Sequence, residues 1–289
     1  MFVVWYLFAL GGAFLSATYF ALVKKFLKNV NQYVLASGVF LSAFCVLIFA
    51  SFIKGFPALG NSFYLAVFAS VFLNIVSTTL YYKALKITDL SLATPMTSFT
   101  PVFLIVTSFL LLREFPTPIG MVGIVLIVLG SYVLNMTKNG GGLIDPFKRM
   151  FKDRGVVYML IVAFLFSLSS NFDKMVVQNS DTLFGSAFVH LFLGIAFIAI
   201  SSFRSINILS VYKNNFHTFF LIGLISALGA IFINIAFTMQ IVPYVISIKR
   251  LSILFSVMYG GWLFKERNLF ARVSGALVMV VGVILIVLF

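Results

Sequence analysis

Apolar residues in this chain neither alternate nor form a narrow stripe; they continue for long runs and then give way to a few polar positions. Crossing the hydrocarbon core of a bilayer takes about 20 mainly apolar residues in a helix, so runs of this length predict spanning segments. Ten stretches qualify, at 3–23, 33–53, 62–85, 92–112, 118–136, 156–177, 183–203, 217–239, 243–264 and 269–289. Most joints between them are a few residues long. The longest, TKNGGGLIDPFKRMFKDRG at 137–155, has a glycine triplet and mixed charge that mark it as a solvated linker. It separates residues 1–136 from 156–289, with five predicted helices on each side.

Composition agrees with the pattern. The 289 residues are 62% hydrophobic and only 9% charged, with mean hydropathy +1.14, whereas soluble domains carry about 25% charged residues. The formal net charge of +13 would point a soluble protein towards nucleic acid. Here the cations fall mainly between apolar runs, where they set orientation, so no nucleic-acid partner is expected and the lipid bilayer is the surrounding partner. Cys45 is the single cysteine, which rules out an intrachain disulfide and a cysteine metal cluster. The first apolar run starts at Phe2 with no basic residue before it, so no cleavable signal peptide is expected.

The two halves resemble each other. Ala84, Arg113, Glu114, Gly123 and Gly130 recur at a constant offset as Ala236, Lys265, Glu266, Gly275 and Gly282. A repeat with an odd number of helices inserts its copies in opposite directions, and transporters built this way place substrate near the midplane between the repeats. The expected fold is therefore an all-α integral membrane protein, ten transmembrane helices as two inverted five-helix repeats.

Each half ends in an acidic loop and a glycine-spaced helix, REFPTPIGMVGIVLIVLG and KERNLFARVSGALVMVVG, preceded in the first by YYKALKITDLSLATPMTSFTPVF. Nearly the whole chain resembles the two EamA-type repeats of the drug/metabolite transporter superfamily. That resemblance implies a carrier or exporter of a small metabolite working by alternating access, an integral protein of a prokaryotic inner membrane. It leaves the substrate open, since relatives move amino acids, nucleotide sugars or phosphate compounds. Most basic residues, among them Lys24, Lys25, Lys148, Arg149 and Lys265, occupy odd-numbered connections, and the even ones hold Lys54, Arg113 and Lys174. The positive-inside rule then puts both termini outside, where the family more often has them inside.

The candidate chemistry centres on PYVISIKRLSILFSVMYGGWLFKE at 243–266, an apolar span carrying Lys249 and Arg250 side by side. A charge near the centre of a membrane helix is unfavourable by roughly 2.5 to 3.5 kcal/mol on the mildest scale, and such residues face a bundle interior or a wet cavity. They also suit a carboxylate or phosphate, arginine through its planar fork and lysine as a point charge. The pair resembles the Lys-Arg dipeptide on the ninth helix of plastid phosphate translocators, where it implies an anion site. The competing reading is that both snorkel to the interface. Asp173, at similar expected depth, is either their counter-ion, with a coupling or gating role, or an interfacial acid screened by Lys174.

At the offset of the repeat, Thr97 and Ser98 stand opposite Lys249 and Arg250, between Pro95 and Pro101, and offer hydroxyls to a ligand or to their own backbone. Asn74, Asn171, Asn234 and Tyr82 are candidates for the same cavity, equally explained by interhelical hydrogen bonds. His190 suits a proton shuttle or a bonded core histidine. Glu114 and Glu266 read as anchors between helices, Tyr259 and Trp262 as packing or interfacial residues. Gly120, Gly123, Gly130, Gly275 and Gly282 permit close packing or a homodimer. Nothing in the pattern assigns a catalytic residue, a metal site or a cofactor, and no P-loop is present. The expected function is secondary transport of a small anionic or zwitterionic metabolite, such as an amino acid or an organic or phosphorylated acid. The alternatives are a drug or lipid-linked exporter of the same superfamily, a non-transporting sensor and a membrane-embedded enzyme.

Overall fold

The structure is a computed structural model that describes residues 4–87, 96–135, 154–203, 208–256, 259 and 273–288. Among the described residues there is no strand, and the main helices follow in order: α1 (Trp5–Phe26), α2 (Gln32–Lys54), α3 (Phe63–Ile87), α4 (Thr100–Leu112), α5 (Pro118–Asn135), α6 (Arg154–Gln178), α7 (Phe184–Phe203), α8 (Ile208–Met239), α9 (Val242–Lys249) and α10 (Val273–Leu288). Six of these, α1, α2, α3, α6, α7 and α8, are long and apolar enough to cross a membrane, and α4, α5 and α10 are shorter apolar helices. The linker at 137–155, apart from its last two residues, and Trp262 and Glu266 lie outside the described residues.

The surface is apolar and the interior carries the polar groups. Phe52 is 70% exposed and Phe72 67% exposed, while Ser70, Ser98, Ser108 and Asn171 are fully buried. Water would not tolerate that rind, and a bilayer supplies it with lipid, so this is an integral membrane protein. In lipid every backbone group must find a partner within the protein, which is why the chain is helical wherever it meets the tails.

Two of the expected spans differ from the pattern. The eighth begins earlier than position 217, at Ile208, because Asn215 turns out of helical geometry and bonds its side-chain amide to the Val211 carbonyl at 2.9 Å, which joins a short approach segment to the span. The ninth is not continuous over 243–264: α9 stops at Lys249, turns through Arg250 and Leu251, and helix resumes at Ser252.

Helices pack across the two halves in a reciprocal way. α1 lies on α8 and α9, and α6 lies on α3 and α4; α2 pairs with α7, α4 with α9, and α5 with α10. The α5–α10 pair shows why the glycines recur. A Cβ on Gly123 would stand 2.7 Å from the Gly282 carbonyl oxygen, and one on Gly130 would stand 2.6 Å from that of Gly275. As the residue number rises along α5 it falls along α10, so the two run antiparallel with backbone against backbone. Gly120 in turn faces the Tyr244 hydroxyl of α9.

This contact predicts a sharp difference between glycines. Gly123→Leu should lower stability by about 1 to 3 kcal/mol, as overpacking does, and should lower the thermal unfolding midpoint in detergent accordingly. Gly229→Ala, whose new Cβ would meet only Leu15 at 3.6 Å, should leave it in place.

Candidate functional site

The break in α9 is built from tightened turns. The Leu251 amide reaches the Ile248 carbonyl at 2.9 Å, and the Leu254 and Phe255 amides both reach the Leu251 carbonyl, at 2.9 and 3.4 Å. The first half repeats this at the same offset: Phe99 bonds to Met96 at 3.2 Å, and Val102 and Phe103 bond to the Phe99 carbonyl at 3.0 and 3.1 Å. In α4 the cause is visible in the sequence. Pro101 has no amide hydrogen for the Thr97 carbonyl, and Thr100 Oγ1 donates to that oxygen instead at 2.8 Å. No proline explains the matching break after Lys249.

Thr100 joins the two breaks. Its hydroxyl oxygen, having given its proton to Thr97, accepts a hydrogen bond from Arg250 Nη2 at 2.8 Å. Arg250 is only 6% exposed, and its Nε has no partner among the described residues. Lys249, half-buried beside it, likewise meets no carboxylate: the ion pairs among the described residues are Lys54–Asp181 at 2.8 Å and Lys174–Glu114 at 2.5 Å. Both cations line a half-open cavity of about 250 Å³ between α1, α2, α3, α6, α7, α8 and α9.

Asp173 lines the same cavity, close enough for its charge to interact with that of Lys249. No ion pair joins it to either cation. Instead the Ser70 hydroxyl donates to its Oδ1, and Asn74 Nδ2 donates to Ser70 Oγ at 3.1 Å, a short relay from α3 to α6. On another wall Tyr82 and Tyr19 share a hydroxyl contact of 2.9 Å. The α7–α8 wall holds Asn234, which donates to Ser186 Oγ at 2.5 Å, and His190, whose Nδ1 lies 2.8 Å from the Ser186 carbonyl. A carbonyl only accepts, so Nδ1 carries the proton and a neutral ring leaves Nε2 as an acceptor facing Ser226 at 3.5 Å.

The cavity thus gathers Lys249, Arg250, Asp173, Tyr82, Asn74, Asn234 and His190 from the sequence candidates. It does not gather Thr97, Ser98 or Asn171 among its lining residues. Thr97 and Ser98 are buried in the α4 turn, the latter with an unpartnered hydroxyl. Asn171 spends its amide on packing: Ser108 Oγ donates to its Oδ1 at 2.6 Å, and its Nδ2 donates to Thr107 Oγ1 at 3.2 Å and to the Ser167 carbonyl at 2.8 Å, fixing α6 to α4. Lys174 does not screen Asp173, because it is turned about 100° around α6 and pairs with Glu114. Tyr259 packs as expected, its hydroxyl 2.9 Å from Thr18 Oγ1. Pattern reading missed Thr100, Ser70 and Tyr19, which are ordinary hydroxyls until folding places them on an arginine, an aspartate and a tyrosine. For Thr100 a signal existed: it stands directly before Pro101, where a carbonyl one turn back loses its partner.

A helical membrane protein with a charged cavity between two similar halves defines the class to which the comparisons assign it. Residues 3–136 and 153–288 each match the EamA-like transporter family, and the chain belongs to that family. No curated protein matches the sequence. One solved crystal structure, whose description names no function, superposes with a TM-score of 0.75 at 14% identity, covering 97% of this chain and 95% of its own. At that identity the likeness concerns the fold alone.

The Thr100 contact yields a prediction. Thr100→Val removes the acceptor of a buried guanidinium and the donor to the Thr97 carbonyl, and each lost partner of a buried polar group costs about 1 to 3 kcal/mol. The thermal unfolding midpoint should fall clearly in Thr100→Val and stay near the native value in Thr100→Ser.

Proposed function

We propose that this chain is a secondary transporter of a small anionic or zwitterionic metabolite, working by alternating access between two inverted five-helix repeats. The observation that carries the reading is the Lys249–Arg250 pair, two cations on a cavity wall that lack any carboxylate partner among the described residues. A buried cation with no ion-pair contact is costly, and an acid group entering the cavity relieves that cost. The Arg250 guanidinium, whose Nε has no partner among the described residues, and the Lys249 ammonium on the same cavity wall supply donors for a carboxylate or phosphate.

The antiparallel α5–α10 contact supports inversion, since these helices occupy equivalent places in the repeat yet run in opposite directions. Discontinuous helices at equivalent positions support the same reading, because transporters of this architecture form substrate sites where helices break near the midplane. Asp173 gives the cavity a negative pole. In the absence of substrate it rests on Ser70; in the cycle it receives the ammonium of a zwitterion and so acts as the coupling or gating group. Tyr82, held by Tyr19, closes a wall around the bound molecule. Thr97 and Ser98 act from behind, through the turn that aims Thr100 at Arg250.

Thermal-shift binding with matched probes tests the site. Propionate and alanine should raise the unfolding midpoint of the native protein, propylamine should not, and Arg250→Gln or Lys249→Ala should abolish the effect of both acids. Asp173→Asn should weaken alanine at least tenfold relative to propionate. Stabilisation by propylamine, with transport intact in Lys249→Ala and Arg250→Ala, would remove the acid-binding reading.

A further inference from the structure

The cavity wall formed by α7 and α8 is uncharged, yet the direction of each hydrogen bond on it is fixed. Ser186 Oγ has one proton and donates it to the Thr182 carbonyl at 2.8 Å. Its 2.5 Å contact with Asn234 must therefore be donated by Asn234 Nδ2, which leaves Oδ1 as the other end of that amide. Oδ1 accepts no hydrogen bond among the described residues. The Ser186 carbonyl takes the Nδ1 proton of His190 at 2.8 Å, so in the neutral ring Nε2 offers a lone pair. The Phe40 ring of α2 packs on this imidazole with centroids 5.8 Å apart and planes at 70°. Among the described residues Nε2 meets only Ser226, at 3.5 Å, the outer limit of a hydrogen bond.

His190 and Asn234 are 9% and 8% exposed, and both line the cavity. Acceptors buried to this degree are nearly always met by a donor. The described residues give Oδ1 none and Nε2 a marginal one, so the donor comes from whatever occupies the cavity. Small residues leave room for it. Gly229 and Ala230 line the cavity between Ser226 and Asn234 along α8, and a Cβ on Gly229 would meet only Leu15 at 3.6 Å. Water can serve such acceptors, but an occupant that displaces water without replacing its hydrogen bonds loses affinity.

We infer that the transported acid carries a second polar end, a hydroxyl or a carboxamide, whose hydrogen is read by Asn234 Oδ1 and His190 Nε2. This rests on the acid-binding reading above and narrows it from any small acid to one whose side chain donates hydrogen bonds. A plain aliphatic side chain leaves both acceptors unmet. An ionised second carboxylate only accepts, so it sets lone pairs against lone pairs. The three polar groups of such an amino acid then meet three parts of the cavity: the acid at Lys249 and Arg250, the ammonium at Asp173 on α6, and the side chain on α7 and α8.

Asparagine, leucine and aspartate test the wall, because their side chains have nearly the same shape and offer it an N–H donor, nothing and acceptors alone. Dissociation constants for the three and for propionate are measured by titration calorimetry on the full chain in detergent, at about pH 8, above the ordinary histidine value of about 6.5. The native protein should bind asparagine at least tenfold tighter than leucine or aspartate, since a site built to bond an N–H discriminates strongly against an analogue without it. Asn234→Leu and His190→Phe should each reduce the preference for asparagine over leucine to below about threefold. A smaller native preference overturns the inference, and so does a preference that persists in both variants, or in the one that folds. If neither variant folds, the native comparison decides alone. Propionate binding without a preference for asparagine removes the role of this wall and leaves the acid site standing. Absence of binding by propionate and all three amino acids removes the acid site, and this inference with it.

Discussion

A guanidinium inside a membrane protein, held by a single threonine hydroxyl, is the constraint on which the rest of this structure depends. Arg250 sits in a helix break of α9, Thr100 in the equivalent break of α4, and the hydrogen bond between them joins the two halves at their centre. The bond is possible because Pro101 withholds an amide and makes Thr100 turn its proton to the Thr97 carbonyl. A missing backbone hydrogen bond in one repeat thereby prepares the acceptor for a charge in the other. Arg250 lines the cavity that also holds Lys249.

The same geometry explains why the cations and Asp173 share a cavity without neutralising each other. Asp173 is engaged by Ser70, which Asn74 backs, so its orientation is fixed from α3. Lys174, the residue nearest in sequence that could quench it, is turned away into Glu114. Charges of both signs therefore remain open to a small molecule in a site walled by protein, where an electrostatic contact is stronger than it would be at a flat surface. Aromatic and aliphatic side chains form much of the lining, and the hydroxyl and amide groups on α7 and α8 add a neutral polar wall.

Much of this was legible in the sequence, and its limits have physical causes. Run length alone gave the membrane class, and the constant offset from Ala84 to Ala236 and from Gly123 to Gly275 gave the repeat. Lys249, Arg250, Asp173 and Tyr82 stood out because charged or polar groups within apolar runs are expensive, and all four reach the cavity. Spacing could not reveal that α9 stops at Lys249, since no proline or glycine marks the break, nor that Asn171 turns towards α4. Helical position fixes depth, but rotation about the axis decides whether a polar group meets a cavity or a neighbouring helix. Lys174 shows this most plainly, adjacent to Asp173 in sequence yet turned about 100° around α6 to pair with Glu114.

The central claim is that Lys249 and Arg250 receive the acid group of the transported molecule. A crystal structure of the native protein soaked with 3-bromopropionate tests it most directly, because the anomalous signal of bromine locates the ligand. The account predicts a bromine peak inside the cavity with the carboxylate in contact with Arg250 and Lys249. An empty cavity, with bromine only at the surface and Lys249 paired to Asp173, would contradict it.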